Sequence, residues 1–168
     1  ALDKCSAQEA LVDPKNRQTI TGDAPKRLTF QEVNETVERY ASIFFEQGLR
    51  KDDIVIIQLP NVVELPMVYL ALSKLGVISS PIPMQYGAYE IEAIIEEVSP
   101  QAYITIQSFN GNAHAEKFSS IFVKGEKKFS LGKVNSFLNI DNSYPDSNSH
   151  ELQQSYTNEN PSSANDIF

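Results

Sequence analysis

The chain reads as an α/β protein, a parallel sheet flanked by helices, on three observations. Ile54-Val55-Ile56-Ile57 is a continuous apolar run with no polar alternation, which suits a strand buried on both faces of a parallel sheet. Two further short apolar runs follow it, Val77 to Ile82 and Ala102 to Ile106. Stretches of helical period separate the three, so strand, helix, strand, helix, strand implies two successive right-handed crossovers and a sheet covered by helices. With 168 residues, 41% of them hydrophobic, and with nine Phe and seven Tyr, the chain can fill a sizeable core.

The elements follow in order. Glu9-Ala10-Leu11-Val12-Asp13 precedes Pro14, and Arg17 to Ile20 is placed to pair with it across a turn at Lys15-Asn16, as a small hairpin. Thr29 stands three residues before Glu32, the reciprocal capping arrangement in which each side chain satisfies a backbone donor at a helix start. Phe30, Val33, Val37, Tyr40 or Ala41, and Phe44 continue at helical spacing, and Gly48 supplies a left-handed stop. This predicts a helix over 30–47.

After the strand at 54–57, Pro60 ends it and Asn61 with Glu64 repeats the capping logic for a second helix over 62–75, closed by Gly76. Pro66 is tolerable there because it falls close to the first turn. Ser79, Ser80 and Pro81 direct the next strand toward a sheet edge. Gly87 marks a loop, and Tyr89 to Val98 reads as an acidic amphipathic helix with Ile91, Ile94 and Ile95 inward, ended by Ser99-Pro100. Residues 1–107 thus form the α/β core. Within 108–140 the signals are weaker: a short helix at His114 to Phe122 and strands at Lys128 to Leu131 and Phe137 to Ile140. From 141 to 165 the composition turns to Asn, Ser, Asp, Pro and Gln, which predicts a polar loop or linker, and Asp166-Ile167-Phe168 reads as the beginning of another strand.

Fourteen basic against 22 acidic residues give a formal charge of −8, which argues against nucleic acid or an anionic membrane as partner. Cys5 is the only cysteine, so neither an intrachain disulfide nor a cysteine zinc cage can form, and a reducing cytoplasm fits best. Ala1-Leu2-Asp3-Lys4 lacks a secretory signal, and no segment approaches the roughly 20 apolar residues that span a bilayer. With no initiating Met, Ala1 is expected to be a processed or engineered start.

The chemistry-bearing residues are sparse. The seven glycines, at 22, 48, 76, 87, 111, 125 and 132, lie too far apart for a phosphate-cradling loop and are expected at turns and helix stops. His114 and His150, the only histidines, fall in the two least structured regions and are expected at the surface. Neither a nucleophile elbow nor a metal ligand set accompanies them. Glu92 and Glu96 share a helix face beside Glu97, as a solvated acidic face rather than a cation site. Asn34-Glu35-Thr36 matches a glycosylation acceptor but falls inside a helix of a chain with no export signal. The Leu59-Pro60-Asn61 turn lies where open sheets place ligand crevices, just outside the carboxyl end of a buried strand, although stopping a strand and capping a helix account for Pro60 and Asn61 without a ligand.

Four segments in order carry a family resemblance. Leu28-Thr29-Phe30-Gln31-Glu32-Val33 resembles the first core motif of AMP-forming ligases, the adenylate-forming superfamily of acyl-CoA synthetases, luciferases and peptide-synthetase adenylation domains. Gln58-Leu59-Pro60-Asn61 with Glu64 is similar to the strand-to-helix segment that follows. Leu72-Ser73-Lys74-Leu75-Gly76-Val77-Ile78-Ser79-Ser80-Pro81-Ile82-Pro83 resembles the second core motif, continued by Glu90-Ile91. Asn165-Asp166-Ile167-Phe168 is similar to the approach to the third. The match spans about 9–107 and the last residues, and Met84-Gln85-Tyr86 looks more like bacterial acyl or aryl carboxylate CoA ligases than peptide-synthetase modules.

The resemblance implies a fragment, 1–168, of the large N-terminal domain of an acyl-CoA synthetase, ending before the phosphate-binding loop, with the rest of that domain and the C-terminal domain absent. The parent would activate a fatty or aryl carboxylic acid with ATP and magnesium as acyl-AMP and pass it to coenzyme A. Family catalytic positions lie beyond Phe168, so no catalytic, cofactor-binding or metal residue is assigned. The fragment alone is expected to be inactive and to bind no cofactor. Surface exposed by truncation makes a homodimer a candidate assembly. The rival readings are a non-catalytic binding or scaffold module on the same fold, an adenylation domain that passes its acyl group to a carrier protein, and, least favoured, an unrelated small α/β enzyme.

Overall fold

The computed structural model describes residues 5–122 and 125–161; the expectations for Ala1 to Lys4 and for Asn165 to Phe168 lie outside these. In chain order come β1 (Glu9–Val12), α1 (Arg17–Thr21), β2 (Arg27–Thr29), α2 (Phe30–Glu46), β3 (Ile54–Ile57), α3 (Glu64–Lys74), β4 (Ile78–Pro81), α4 (Ala88–Val98) and β5 (Ala102–Ile106). Then follow β6 (Ser108–Phe109), β7 (Asn112–Ala113), one turn of 3-10 helix at Ala115–Phe118, β8 (Lys127–Leu131), β9 (Leu138–Asn139) and α5 (Ser149–Glu159). A five-stranded parallel sheet in the order β4-β3-β5-β8-β9 forms the centre.

Side-chain alternation along the strands divides the core. Val55 and Ile57 of β3, with Ala102, Ile104 and Ile106 of β5, face α2 and α3, where Phe44, Val68 and Leu72 are fully buried. Ile56 and Tyr103 face the other way, onto Ile91 and Ile95 of α4 and onto Phe118 and Phe122. Apolar residues on both faces explain why β3 and β5 read as unbroken runs. β4 is an edge strand, as its Ser79-Ser80-Pro81 sequence predicts.

Helix α2 starts as expected: Thr29 Oγ1 accepts the Glu32 N–H, and the Glu32 carboxylate accepts the Thr29 N–H at 2.8 Å. α4 begins at Ala88, with Gly87 at its N-cap and Ser99 at its C-cap. Gly22, Gly48 and Gly76 sit in the left-handed region at the ends of α1, α2 and α3.

Three expectations are corrected. β1 pairs antiparallel with β2, not with 17–20, which fold as α1; the turn after Pro14 curls on into a helix because this draws the Arg17 guanidinium inward onto Asp13 and Glu64. Asn61 does not cap α3: it is exposed, the N-cap position is Val63, and Glu64 turns instead to Arg17 and Lys26. The stretch expected to be a polar linker contains α5, which is held by aromatic and polar contacts rather than an apolar stripe. The Tyr156 ring packs 5.4 Å from that of Phe45, the Tyr156 hydroxyl accepts the Lys51 N–H at 2.7 Å, and the Arg50 guanidinium lies 3.8 Å from the Phe45 ring centre.

Candidate functional site

The carboxyl end of β3 is the place where this topology offers a crevice. Gln58, the residue after the strand, is completely buried and its side-chain amide is fully used. Nε2 donates to Pro83 O at 2.9 Å and to Tyr86 O at 3.2 Å, and Oε1 accepts the Tyr103 hydroxyl proton. The Gln58 carbonyl accepts from Thr105 Oγ1. Burial pushes the Tyr103 hydroxyl well above its ordinary range, so it remains a neutral donor. Gln58 thereby ties β3 to β5 and to the loop after β4.

Beyond Gln58, Leu59 and Pro60 are buried and Asn61 faces solvent. A cavity of about 400 Å³ lies here between Asp13-Pro14 and Asn61 to Pro66. Asp13 in its wall belongs to an ionic cluster that lies behind it. Arg17 donates through Nη1 to Glu64 Oε2 at 2.7 Å and to Asp13 Oδ2 at 2.8 Å, and through Nη2 to Glu64 Oε1 at 2.9 Å. Lys26 Nζ reaches Glu64 Oε1 at 2.6 Å. Asp13 Oδ1 accepts the Val63 N–H at 2.9 Å, supplying from a distance the helix cap that Asn61 does not. Burial opposes the charge on Glu64, but the hydrogen bonds and charges of Arg17 and Lys26 prevail and hold its carboxyl below the ordinary range. For Arg17, likewise, burial is outweighed by Glu64 and Asp13, and its pKa is raised. These groups position one another, with Arg17 Nε alone among the buried atoms of the cluster lacking a partner.

The histidines lie elsewhere. His114, expected at the surface, is buried at 5% exposure between the edges of Phe109 and Phe118, with no partner for Nε2. Burial, aided by Lys117, pushes its pKa down to about 4. The signal lay close by in sequence, since the two rings come from Phe109, five residues before it, and Phe118, four residues after it. His150, also expected at the surface, is half-buried and bridges helices: Nδ1 lies 3.1 Å from Ser42 Oγ and Nε2 lies 2.9 Å from the Gln154 side chain. A serine beside a histidine suggests a nucleophile and base, but Ser42 is wholly buried within α2 and no carboxylate orients the ring. The pair is a helix-to-helix link. Glu92, Glu96 and Glu97 are exposed on α4, and among the described residues no cluster of acidic, His or Cys side chains is arranged to hold a metal.

Residues 5–167 match the family described as AMP-binding enzyme. The chain belongs to that family. This AMP-binding family member is 28% identical over 121 residues to the pseudomonine synthase PmsE of Pseudomonas entomophila, covering 70% of this chain and 19% of that protein. It is 27% identical over 97 residues to the long-chain-fatty-acid–CoA ligase FadD13 of Mycobacterium tuberculosis, covering 58% and 19%. Its fold matches that of a long-chain-fatty-acid-CoA ligase (FadD1) from Archaeoglobus fulgidus with a TM-score of 0.68 at 20% identity, covering 92% of this chain and 28% of that one. The chain therefore spans about a fifth of the length of these curated relatives.

Among the described residues none is arranged to hold ATP, magnesium or coenzyme A, the cofactors expected of the parent enzyme. The Gln58 side-chain amide and the Tyr103 and Thr105 hydroxyls at the carboxyl end of β3 are paired, Arg17 Nε being the buried atom of the neighbouring cluster without a partner, and the sequence has no glycine-rich loop to present backbone donors to a phosphate. Among the described residues no helix is long and apolar enough to cross a membrane.

Proposed function

We propose that residues 1–168 are the N-terminal α/β part of an ATP-dependent acyl-CoA synthetase, one that activates a fatty or aryl carboxylic acid as acyl-AMP and transfers it to coenzyme A. The observation that carries this reading is the family match over 5–167 in a chain that spans 19% of the fatty-acid ligase relative. Nucleotidyl transfer needs donors and cations aimed at the phosphates, and Arg17 and Lys26 are instead directed at Glu64. Its own contribution is scaffolding: the ionic cluster and Gln58 fix the turn and loop at the carboxyl end of the sheet. A cytoplasmic site of action and a role for magnesium belong to the same proposal.

The test is pyrophosphate release from ATP and magnesium with a panel of fatty and aryl acids. The chain alone should release none, whereas the reading frame extended past Phe168 through a phosphate-binding loop and C-terminal domain should release it. Release by the chain alone overturns the scaffold reading, and no release by the extended protein with any acid overturns the synthetase. A second reading, an adenylation domain that loads a carrier protein, is favoured by the similarity to the pseudomonine synthase over 70% of this chain. Transfer to a phosphopantetheinyl carrier in preference to coenzyme A would select it.

A further inference from the structure

We propose that Asn110 is a site of spontaneous covalent modification: its side-chain amide closes onto the backbone nitrogen of Gly111, loses ammonia and is hydrolysed by water to isoaspartate. Asn110-Gly111 is the one place in the sequence where an asparagine precedes a glycine. The pair forms the tip of the hairpin between β6 and β7, with φ of +50° and +76°, the two left-handed residues of a type I′ turn.

Three features of that tip suit the reaction. Both residues are exposed, so water reaches the amide carbon and the ring that forms from it. Among the described residues neither the Asn110 side chain nor the Gly111 N–H has a hydrogen-bond partner, so both reacting groups are free. A Cβ placed on Gly111 would meet nothing within 4 Å, so space lies open beside the attacking nitrogen. Other asparagines are less favoured. Asn135, Asn142 and Asn148 each precede a serine, whose side chain crowds the nitrogen, and the Ser149 nitrogen already donates to Asp146 O at 2.9 Å.

The atoms balance with water as the only reagent. The Gly111 nitrogen gives its proton to solvent and attacks Asn110 Cγ. The new N–Cγ bond closes a succinimide ring as the Cγ–Nδ2 bond breaks, and Nδ2 leaves as ammonia with a proton taken back from solvent. Water then opens the ring at one of its two carbonyls. Attack at Cγ leaves aspartate, whereas attack at the main-chain carbonyl leaves isoaspartate, in which the chain runs through Cβ and Cγ and is one methylene longer.

Ring closure requires the Asn110-Gly111 peptide to rotate out of the turn. One contact on that peptide resists: Asn112 Nδ2 donates to the Asn110 carbonyl at 3.1 Å. Two strands of two residues each make a marginal hairpin, so this side-chain amide acts as a brake on its opening. The longer chain of isoaspartate does not fit the turn. It separates Phe109 from Asn112 and disturbs the 2.8 Å bond from the Asn110 N–H to Ile20 O that ties the hairpin to α1. None of these residues belongs to the Leu59-Pro60-Asn61 turn or its ionic cluster, so the site stands whatever becomes of the synthetase reading.

The test keeps the folded 168-residue chain in mildly alkaline buffer, digests samples taken at intervals, and separates and weighs the peptides, with fragmentation to distinguish Asn110 from Asn112. Asn110 should convert to the acid before Asn135, Asn142 or Asn148, and should give two products of equal mass, isoaspartate the larger and aspartate the smaller. Asn112→Ala, a substitution at an exposed position, should speed the conversion about two- to tenfold, the weight of one hydrogen bond. No conversion at Asn110, earlier conversion elsewhere, a rate unmoved by Asn112→Ala, or aspartate as the sole product would each overturn the assignment.

Discussion

Asp13 caps a helix from fifty residues away: its Oδ1 accepts the N–H of Val63, the N-cap of α3, at 2.9 Å. Its Oδ2 holds Arg17 and also accepts the Lys26 N–H at 2.8 Å. One buried carboxylate therefore joins the segment after β1, the approach to β2 and the start of α3. Asp13→Ala should cost about 3–5 kcal/mol, because it strips a cap and leaves Arg17 without one of its partners. Asp13→Asn, which keeps an acceptor for Val63, should cost less. Urea unfolding of the two variants checks the order; equal, small losses would show the cluster to be marginal.

Glu64 ties that cluster to pH. Its carboxyl titrates below the ordinary value in the folded state, so the unfolded chain binds a proton first as the solution is acidified. Its contribution to stability is complete above the ordinary carboxylate range and is lost as pH falls through the lowered value. Glu64→Gln should flatten this acid limb relative to the unmodified chain, and thermal melts between neutral and strongly acid pH would measure it.

His114 acts in a different window. An unfolded histidine gains its proton near 6.5, whereas the folded one waits until about 4. Stability should therefore fall as pH drops from 6.5 toward 4, by up to about 3 kcal/mol. His114→Asn removes this slope and leaves the carboxylate slope below it. A histidine C2 proton titrating near 6.5 in the folded chain, and assigned to His114, would contradict the prediction.

Gly132 has φ +84°, and a Cβ added there would lie 2.6 Å from Gln107 Oε1 and 2.8 Å from Gln107 Cβ. Gly132→Ala should cost about 1–3 kcal/mol from left-handed strain and crowding. Pairing it with Gln107→Gly should recover the crowding part only, as a double-mutant cycle would show.

Tyr156→Ala should free α5. It removes the ring against Phe45 and the hydroxyl that accepts the Lys51 N–H, at a cost of about 2–4 kcal/mol. Limited proteolysis within Ser149–Glu159 should accelerate more than cleavage within α2. Uniform acceleration would mean instead that α5 unfolds only with the whole.

What could be read from sequence was whatever rests on local pattern. The Thr29–Glu32 cap, the apolar run of β3 and the Ser79-Ser80-Pro81 edge all follow from neighbours in the chain. Asn61 misled because a good capping residue in a good position lost to Asp13, a competitor far away in sequence. The segment of α5 misled because its docking uses a tyrosine hydroxyl, a guanidinium lying over aromatic rings and a buried glutamine, none of which leaves a hydrophobic period. Arg17 likewise looked like a strand residue, and only its distant partner Glu64 makes it a buried helix residue. The candidate site was legible in outline, since the carboxyl end of β3 follows from topology. The closed network around Gln58 was not, because Tyr103, Pro83 and Tyr86 reach it only through folding.

The edge strand β4 is poorly suited to pairing with an added strand. Ile78 and Ile82 donate their N–H groups inward, to Asp53 O and Ile57 O, so the alternating residues Ser79 and Pro81 present theirs outward. At Pro81 there is no proton to present, and an incoming strand would find a gap where its second hydrogen bond should form. The opposite border, β9, is only two residues long. Among the described residues, the sheet thus offers little template for strand addition at either border. Replacing Pro81 by valine would open a template for self-association without touching the interior.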